Sequence, residues 1–238
     1  MPRNPRCVWA GIAYHVTQRG VDRGHVFFSQ GDRDTYLHLV QQNLKETGVR
    51  VLSYCLMTNH VHWVVVPERE DGLAILFRRV HGRYAQYINA RRHRTGHLWQ
   101  NRYFSCAVAV EREDVALRYV EWNPVRAAMV ETPQAYRWSS AAAHLTGPGS
   151  EKIPLLDWDY WESRGGGSAW KRMLEELEDV RDVQKLRRAT YAGAPLGSVE
   201  FVKSMEERFG RQWRSLGRPR KGVGSEKGTE QTASVSAG

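Results

Sequence analysis

The stretch Tyr54-Cys-Leu-Met-Thr-Asn-His-Val-His-Trp-Val-Val-Val-Pro67 decides the fold. Its second half reads as a buried strand that carries two histidines at its entrance. Side chains alternate between the faces of a strand, so residues i and i+2 point the same way. His60, His62, Val64 and Val66 therefore share one face, and Val61, Trp63 and Val65 share the other. Two imidazoles at this spacing stand about 6–7 Å apart along the strand and can close on one metal ion. A His-x-His pair also arises by chance, so its meaning depends on what the chain sets opposite it.

On the amino-terminal side, Val8-Trp-Ala-Gly-Ile-Ala-Tyr-His-Val-Thr17 alternates as a first strand, with Val8, Ala10, Ile12, Tyr14 and Val16 on one side. Gln18-Arg-Gly-Val-Asp-Arg-Gly24 breaks it; Arg19 and Arg23 then sit in a loop that is either a plain turn or a phosphate contact. Asp32 or Asp34 can cap a helix to Thr47 with the stripe Tyr36, Leu37, Val40 and Leu44, and Gly48 ends it. Val49 to Met57 forms a second strand.

On the carboxyl side, Asp71-Gly72 opens a long helix whose apolar face is Leu73, Leu76, Phe77, Val80, Tyr84, Tyr87 and Ile88. Arg78, Arg79, Arg83, Arg91, Arg92 and Arg94 occupy its other face and its end, a surface suited to phosphates. His81 and His93 read as surface residues. In the loop Gly96-His-Leu-Trp-Gln-Asn-Arg-Tyr103, Trp99 and Arg102 are of the types that stack on bases or bind phosphate. Phe104 to Val110 is a short strand. Glu111 and Asp114 suit the first turn of another helix, on which Val115, Tyr119 and Trp122 share a face. Pro124 interrupts that helix, and a short one restarts from an Asn123 cap. The order β-α-β-β-α-β followed by a helix predicts an α+β, ferredoxin-like core with the histidine strand central.

Beyond Ser140 the character changes. Gly147 to Gly167 is rich in Gly, Ser and aromatic residues, a linker or an irregular packing segment, and amphipathic helices follow over Ala169–Arg188 and Val199–Phe209. The expected organisation is a domain over 1–145, a linker over 146–168, a helical basic extension over 169–221 and a disordered tail over 222–238. Between Lys203 and Lys221 seven Lys/Arg face two Glu. Gly217-Arg-Pro-Arg-Lys221 resembles the core of an AT-hook, in which Arg218 and Arg220 would follow a DNA minor groove, although a single Arg-Pro-rich run is more often just a disordered basic tail.

A formal charge of +9 over 238 residues points to a polyanionic partner, nucleic acid first and an acidic membrane surface second. Cys7, Cys55 and Cys106 are far apart with no C-x-x-C spacing, which argues against a disulfide framework or a structural zinc cluster and for a reducing cytoplasm. The basic start, Met-Pro-Arg-Asn-Pro-Arg, has no apolar signal core behind it, and no run is long enough to span a membrane. A cytoplasmic protein, monomer or homodimer, is expected.

In such a fold the helix after the last strand packs over the sheet face. It brings Tyr119 and Asn123 together, because i and i+4 share a helix face. Two neutral imidazoles plus one amide oxygen form an open shell that suits Mg²⁺ or Mn²⁺ bound jointly with a phosphate. The metal would serve as a Lewis acid on a phosphodiester, and the Tyr119 phenol would be the nucleophile, giving a covalent phosphotyrosine. A free tyrosine has a pKa near 10, so the metal or nearby cations must favour its ionised form; Arg118 and Arg126 are candidates by proximity in sequence. The chain has no G-x-S-x-G elbow and no phosphate-cradling P-loop. Taken on local pattern alone, Tyr119 is a core aromatic of an amphipathic helix, and Asn123 is as readily a cap as a ligand.

Three stretches in order, Tyr54-Cys-Leu-Met-Thr-Asn-His-Val-His62, Gly96-His-Leu-Trp-Gln-Asn-Arg-Tyr-Phe104 and Tyr119-Val-Glu-Trp-Asn-Pro-Val125, resemble the HUH single-tyrosine transposases. The similarity is to their REP-associated tyrosine transposase branch and covers roughly residues 5 to 145. It implies that His60 and His62 are metal ligands, Asn123 the third, and Tyr119 the nucleophile. It also implies cleavage of single-stranded DNA beside a hairpin, with the enzyme left on the 5′ phosphate and a 3′ hydroxyl set free. The segment from Gly11 to Arg23 would then help to read a short guide sequence. Here Gly11-Ile-Ala-Tyr14 replaces the Gly-Thr-Trp-type signature of some members, and Thr58 stands where proline is common, so the target sequence does not carry over. A protein of the same fold that binds DNA hairpins without cleaving them is the alternative.

Overall fold

The structure is a computed structural model and describes residues 7–213. Strands β1 (Ala13–Arg19), β2 (Val49–Leu56), β3 (His60–Pro67) and β4 (Phe104–Val108) form one antiparallel sheet in the order β2-β3-β1-β4. Helix α1 (Gln30–Thr47) connects β1 to β2, and α2 (Gly72–Arg91) connects β3 to β4. This is the expected ferredoxin-like α+β core, with β1 and β3 in the centre. In β1 the first expected residues leave the ladder. Gly11 turns at φ +81, so pairing starts at Ala13.

The register explains the two faces. Thr17 pairs with His62, His15 with Val64 and Arg19 with His60, while on the other side His15 pairs with Cys106. Paired residues point the same way. Tyr14, Val16, Val61, Trp63 and Val65 therefore face one layer, where Tyr36 of α1 and Phe77, Val80, Tyr84 and Ile88 of α2 complete the core. Trp63 is fully buried there, its ring 6.2 Å from that of Tyr36. Helix α1 starts from Ser29 rather than from Asp32 or Asp34. The Ser29 hydroxyl accepts from Asp32 N, and the Asp32 carboxylate accepts from Ser29 N, a reciprocal capping box.

The opposite sheet face carries Ser53, Cys55, His15, His60, His62 and Cys106. It is covered by α3 (Glu113–Glu121) and by chain beyond residue 140. A four-residue helix α4 (Asn123–Arg126) follows α3, and then come α5 (Ala141–Thr146), α6 (Trp158–Ser163), α7 (Gly166–Glu175), α8 (Val180–Ala192) and α9 (Val199–Phe209). The helix expected over Ala169–Arg188 is two, α7 and α8, broken where Glu176 turns extended. Residues 146–168, expected as a linker, contain α6 and contribute buried Ile153, Leu155 and Leu156.

These later segments also close the sheet edges. Leu156 bridges Val51 at the β2 edge, and Leu196 bridges Val108 at the β4 edge, with Ala109 N and Leu196 N each donating at 2.8 Å. An uncovered edge exposes a row of unpaired amides and carbonyls, so this coverage removes an aggregation hazard. Among the described residues no helix is long and apolar enough to cross a membrane.

Candidate active site

The site grows from the turn before β3. Asn59 sits at its tip, where its Oδ1 lies 2.6 Å from His60 Nδ1 and its Nδ2 donates to Arg23 O at 2.7 Å. The loop after β1 docks on the same turn, with Gly20 N donating to Asn59 O at 2.9 Å. A side chain at Gly20 would run into Gly24 O and Val26, so glycine is what allows this close approach. One residue pair along, His62 Nδ1 is 2.9 Å from Nε2 of His15, a buried β1 histidine, and the two rings lie nearly parallel at 9°. The His60 and His62 ring centroids are 4.9 Å apart.

Tyr119 projects from α3 onto this cluster. Its ring stands edge-on to His62 at 5.5 Å and to His15 at 5.4 Å, and only 7% of the residue is exposed. The Arg126 guanidinium lies over the ring at 4.3 Å, donates to Tyr119 O and pairs with Glu178 at 2.6 Å. Burial raises the phenol pKa, while the charges of Arg126 and Arg187 pull it down. Burial, with Arg19 and Arg187 adding to it, lowers His60 to about 4. Burial and the neighbouring His60, His15 and Arg126 hold His62 well below its usual range. Both imidazoles are therefore neutral near pH 7, the form that can donate a lone pair to a metal.

These side chains fit a divalent ion in one specific way. Each histidine has Nδ1 engaged, which leaves Nε2 as the nitrogen available to a ligand. Among the described residues no group of three or more His, Cys, Asp and Glu is arranged to hold a metal. His15 is spent on His62, so the shell would be two imidazoles completed by an amide, substrate oxygens and water. Asn123 is the amide expected to fill that place. Of its two expected roles, cap and ligand, the cap is not made: α4 has Trp122 in the cap position with no side-chain hydrogen bond, and Asn123 is already helical. Its Nδ2 is buried with no hydrogen-bond partner, so capping does not commit this side chain.

Of the two arginines expected beside the phenol, Arg126 is there and Arg118 is not. Arg118 turns toward α7, donating to Met173 O at 2.9 Å and pairing with Glu176 at 2.7 Å. Helix rotation explains why Arg118 turns away, since it directly precedes Tyr119 in α3 and successive helical side chains leave the axis about 100° apart.

The residues expected to meet DNA are spread unequally. Arg23, Arg83 and Arg102 are exposed, and Arg79 is paired with Glu46 at 2.7 Å. Arg19 is half-buried opposite His60, its Nε without a partner. Trp99 is a correction: its ring is 8% exposed, 4.6 Å from the ring of His81, and its Nε1 donates to His81 O at 3.1 Å. It builds core rather than a base-stacking surface. His81, expected at the surface, is buried too and lies 3.0 Å from Tyr36 Oη. Arg78, His97 and Arg102 line the mouth of a cavity of about 640 Å³ between α2 and the 96–103 loop. Arg218 and Arg220 lie outside the described residues.

His15 is the participant that the sequence reading passed over. Its signal was present, because alternation in β1 puts His15 on the face opposite Tyr14 and Val16, beside the histidine pair. Glu178 and Arg187 come from chain more than fifty residues beyond Tyr119, and no local pattern announces them.

Residues 8–123 match the family described as "Transposase IS200 like". No curated protein sequence matches the chain. Among solved structures, one described as a REP-associated tyrosine transposase bound to a REP hairpin superposes with a TM-score of 0.54 at 14% identity, over 66% of this chain and 94% of that one. A putative transposase from Deinococcus radiodurans R1 is similar at 16% identity and a TM-score of 0.36, over 51% of this chain and 96% of that one.

Proposed function

We propose that this chain, whose residues 8–123 match the IS200-like transposase family, is a metal-dependent endonuclease and strand-transferase acting on single-stranded DNA beside hairpins. The observation that carries this reading is the placement of the Tyr119 ring against His62, beneath the Arg126 guanidinium, on the sheet face that holds both histidines. The REP hairpin bound by the similar structure supports the choice of substrate. His60 and His62, through Nε2, and Asn123, through its amide oxygen, would hold Mg²⁺ or Mn²⁺. When bound, the ion supplies Lewis-acid polarisation of the scissile phosphate.

Tyr119 Oη attacks the phosphorus in line. A bond forms between Oη and phosphorus, the bond from phosphorus to the 3′ oxygen breaks, and the phenol proton ends on the departing 3′ oxygen. The product is a 5′-phosphotyrosine and a free 3′ hydroxyl, which can attack in reverse to rejoin strands. Arg126 lowers the cost of charge on the phenol oxygen as the proton leaves, and burial of the ring keeps water from competing for the phosphorus. Arg23, Arg83 and Arg102 are exposed, and in this reading they would neutralise DNA phosphates.

The test is incubation with labelled hairpin DNA and Mn²⁺, followed by a denaturing gel. A covalent adduct that vanishes in Tyr119→Phe is expected. Cleavage that persists without an adduct in Tyr119→Phe would assign the attack to water. Binding with no cleavage in the native protein would make this a hairpin-binding protein of the same fold.

A further inference from the structure

We propose that His15, backed by Thr190 of the carboxy-terminal helix α8, is a positioning residue that fixes the tautomer of His62 and so keeps His62 Nε2 free as a metal donor. The inference rests on the reading that His60 and His62 hold the ion.

The argument follows protons along one line of hydrogen bonds. Thr190 Oγ1 donates to Leu186 O at 2.8 Å, one turn back in α8, and a carbonyl can only accept. With its proton committed there, Thr190 Oγ1 accepts from His15 Nδ1 at 2.7 Å. A neutral imidazole with its proton on Nδ1 has a lone pair on Nε2, and that atom faces His62 Nδ1 at 2.9 Å. His62 must then carry its own proton on Nδ1, which leaves Nε2 bare. The Cys106 thiol, 3.3 Å from Thr190 Oγ1, can donate to the second lone pair of that oxygen. All of these groups are buried, so water does not scramble the polarity.

The reverse polarity has a definite consequence. Were Thr190 to donate to His15, each proton would move across, and His62 would carry hydrogen on Nε2 with no lone pair for a cation. His60 is set independently by the Asn59 amide, whose orientation is fixed by its bond to Arg23 O. The two imidazoles thus reach the same tautomer through separate partners, one from the β1 loop region and one from α8. Helix α8 lies beyond the family match, which ends at residue 123, so this chain completes its site with a residue outside the matched segment.

The experiment uses the full chain in two measurements. Long-range ¹H–¹⁵N spectra of the metal-free protein report which nitrogen of His62 is protonated, and electron paramagnetic resonance of free Mn²⁺ reports affinity. In the native protein the His62 proton is expected on Nδ1. His15→Leu should mix the His62 tautomers and weaken Mn²⁺ binding by about 10- to 100-fold, the usual effect of losing a partner behind a metal-bound histidine. His15→Gln, whose amide oxygen can accept from His62 Nδ1, should retain affinity within about threefold by the same comparison. Thr190→Val keeps the shape and removes the acceptor, so it should show a second His62 tautomer even if His15→Leu fails to fold. A proton on His62 Nε2 in the native protein, or native Mn²⁺ affinity in His15→Leu or an unmixed tautomer in Thr190→Val, overturns the inference. If the native protein binds no Mn²⁺ while His62 carries its proton on Nδ1, the metal reading falls and the tautomer assignment stands.

Discussion

Tyr119 and Asn123 illustrate how two roles that compete on paper separate once partners are known. A tyrosine buried among aromatic neighbours is ordinarily core, yet this one faces two imidazoles and an arginine. Arg126 is the residue that changes its chemistry. A guanidinium at 4.3 Å over the ring contributes about 0.5–2 kcal/mol and works against the pKa rise that burial causes. Arg126→Gln should therefore slow adduct formation in single-turnover assays by on the order of tenfold, about 1.4 kcal/mol of barrier, while hairpin affinity stays close to native. Arg126→Lys should recover only part, since an ammonium does not stack as a planar fork does. For Asn123 the competing roles make opposite forecasts. Loss of a helix cap costs about 1 kcal/mol of stability, so a capping Asn123 would show it in Asn123→Ala. With Nδ2 unpartnered and no cap bond present, Asn123→Ala is expected to stay within about 0.5 kcal/mol in urea unfolding and to bind Mn²⁺ more weakly.

At the scale of elements, the question is what aims α3. Its last residue, Glu121, is fully buried between β2, α5 and α7. Its carboxylate accepts from Ser140 Oγ at 2.6 Å, Ser53 Oγ at 3.2 Å and Trp170 Nε1 at 3.0 Å, and lies 2.6 Å from His144 Nδ1. Burial pushes its pKa up, but the charge of His144 and this set of donors prevail and hold it below the ordinary range. Arg118 and Trp122 add bonds to Met173 O, Glu176 and Leu174 O, so α7 grips α3 on both sides of Tyr119. Removing one partner from a buried charged cluster leaves the others unpaired and costs about 3–5 kcal/mol. Glu121→Ala should lose that much in urea unfolding, whereas Trp170→Phe, which removes one donor, should lose about 1 kcal/mol. The order of strands and helices was legible because β3 runs as a short unbroken apolar stretch behind its histidines, while apolar residues recur every third or fourth residue in α2. Tyr119 beside the histidine strand was legible for a related reason, that a helix following the last strand must cover a sheet face. The grip of α7 and the Thr190 backing of His15 were not, because they join residues forty-nine or more positions apart with no periodic trace between them.

For the whole molecule, the division into a catalytic part and an appended basic part is less sharp than composition implies. Chain beyond residue 145 seals both sheet edges, supplies Glu178 and Arg187 near Tyr119, and buries Met205 of α9. Arg208 of the same helix pairs with Glu70 at 2.6 Å and lies over the Trp9 ring at 4.7 Å. A truncation from residue 203 would cut α9 near its middle and confound affinity with folding. Removal of 214–238 is the cleaner experiment, since it leaves α9 whole. That segment holds Arg214, Arg218, Arg220, Lys221 and Lys227 against Glu226 and Glu230, a net charge of 5 − 2 = +3. If these cations displace counterions from DNA, each phosphate contact contributes roughly 0.7 to the slope of log affinity against log salt for a single strand and about 0.9 for a duplex. Deleting 214–238 should then weaken hairpin binding at low salt and make the slope shallower by on the order of 2 to 3, while the unfolding midpoint and the Tyr119 adduct chemistry at saturating DNA stay near native. An unchanged slope would mean that the exposed arginines of α2 and the 96–103 loop carry the electrostatic part of binding without the tail.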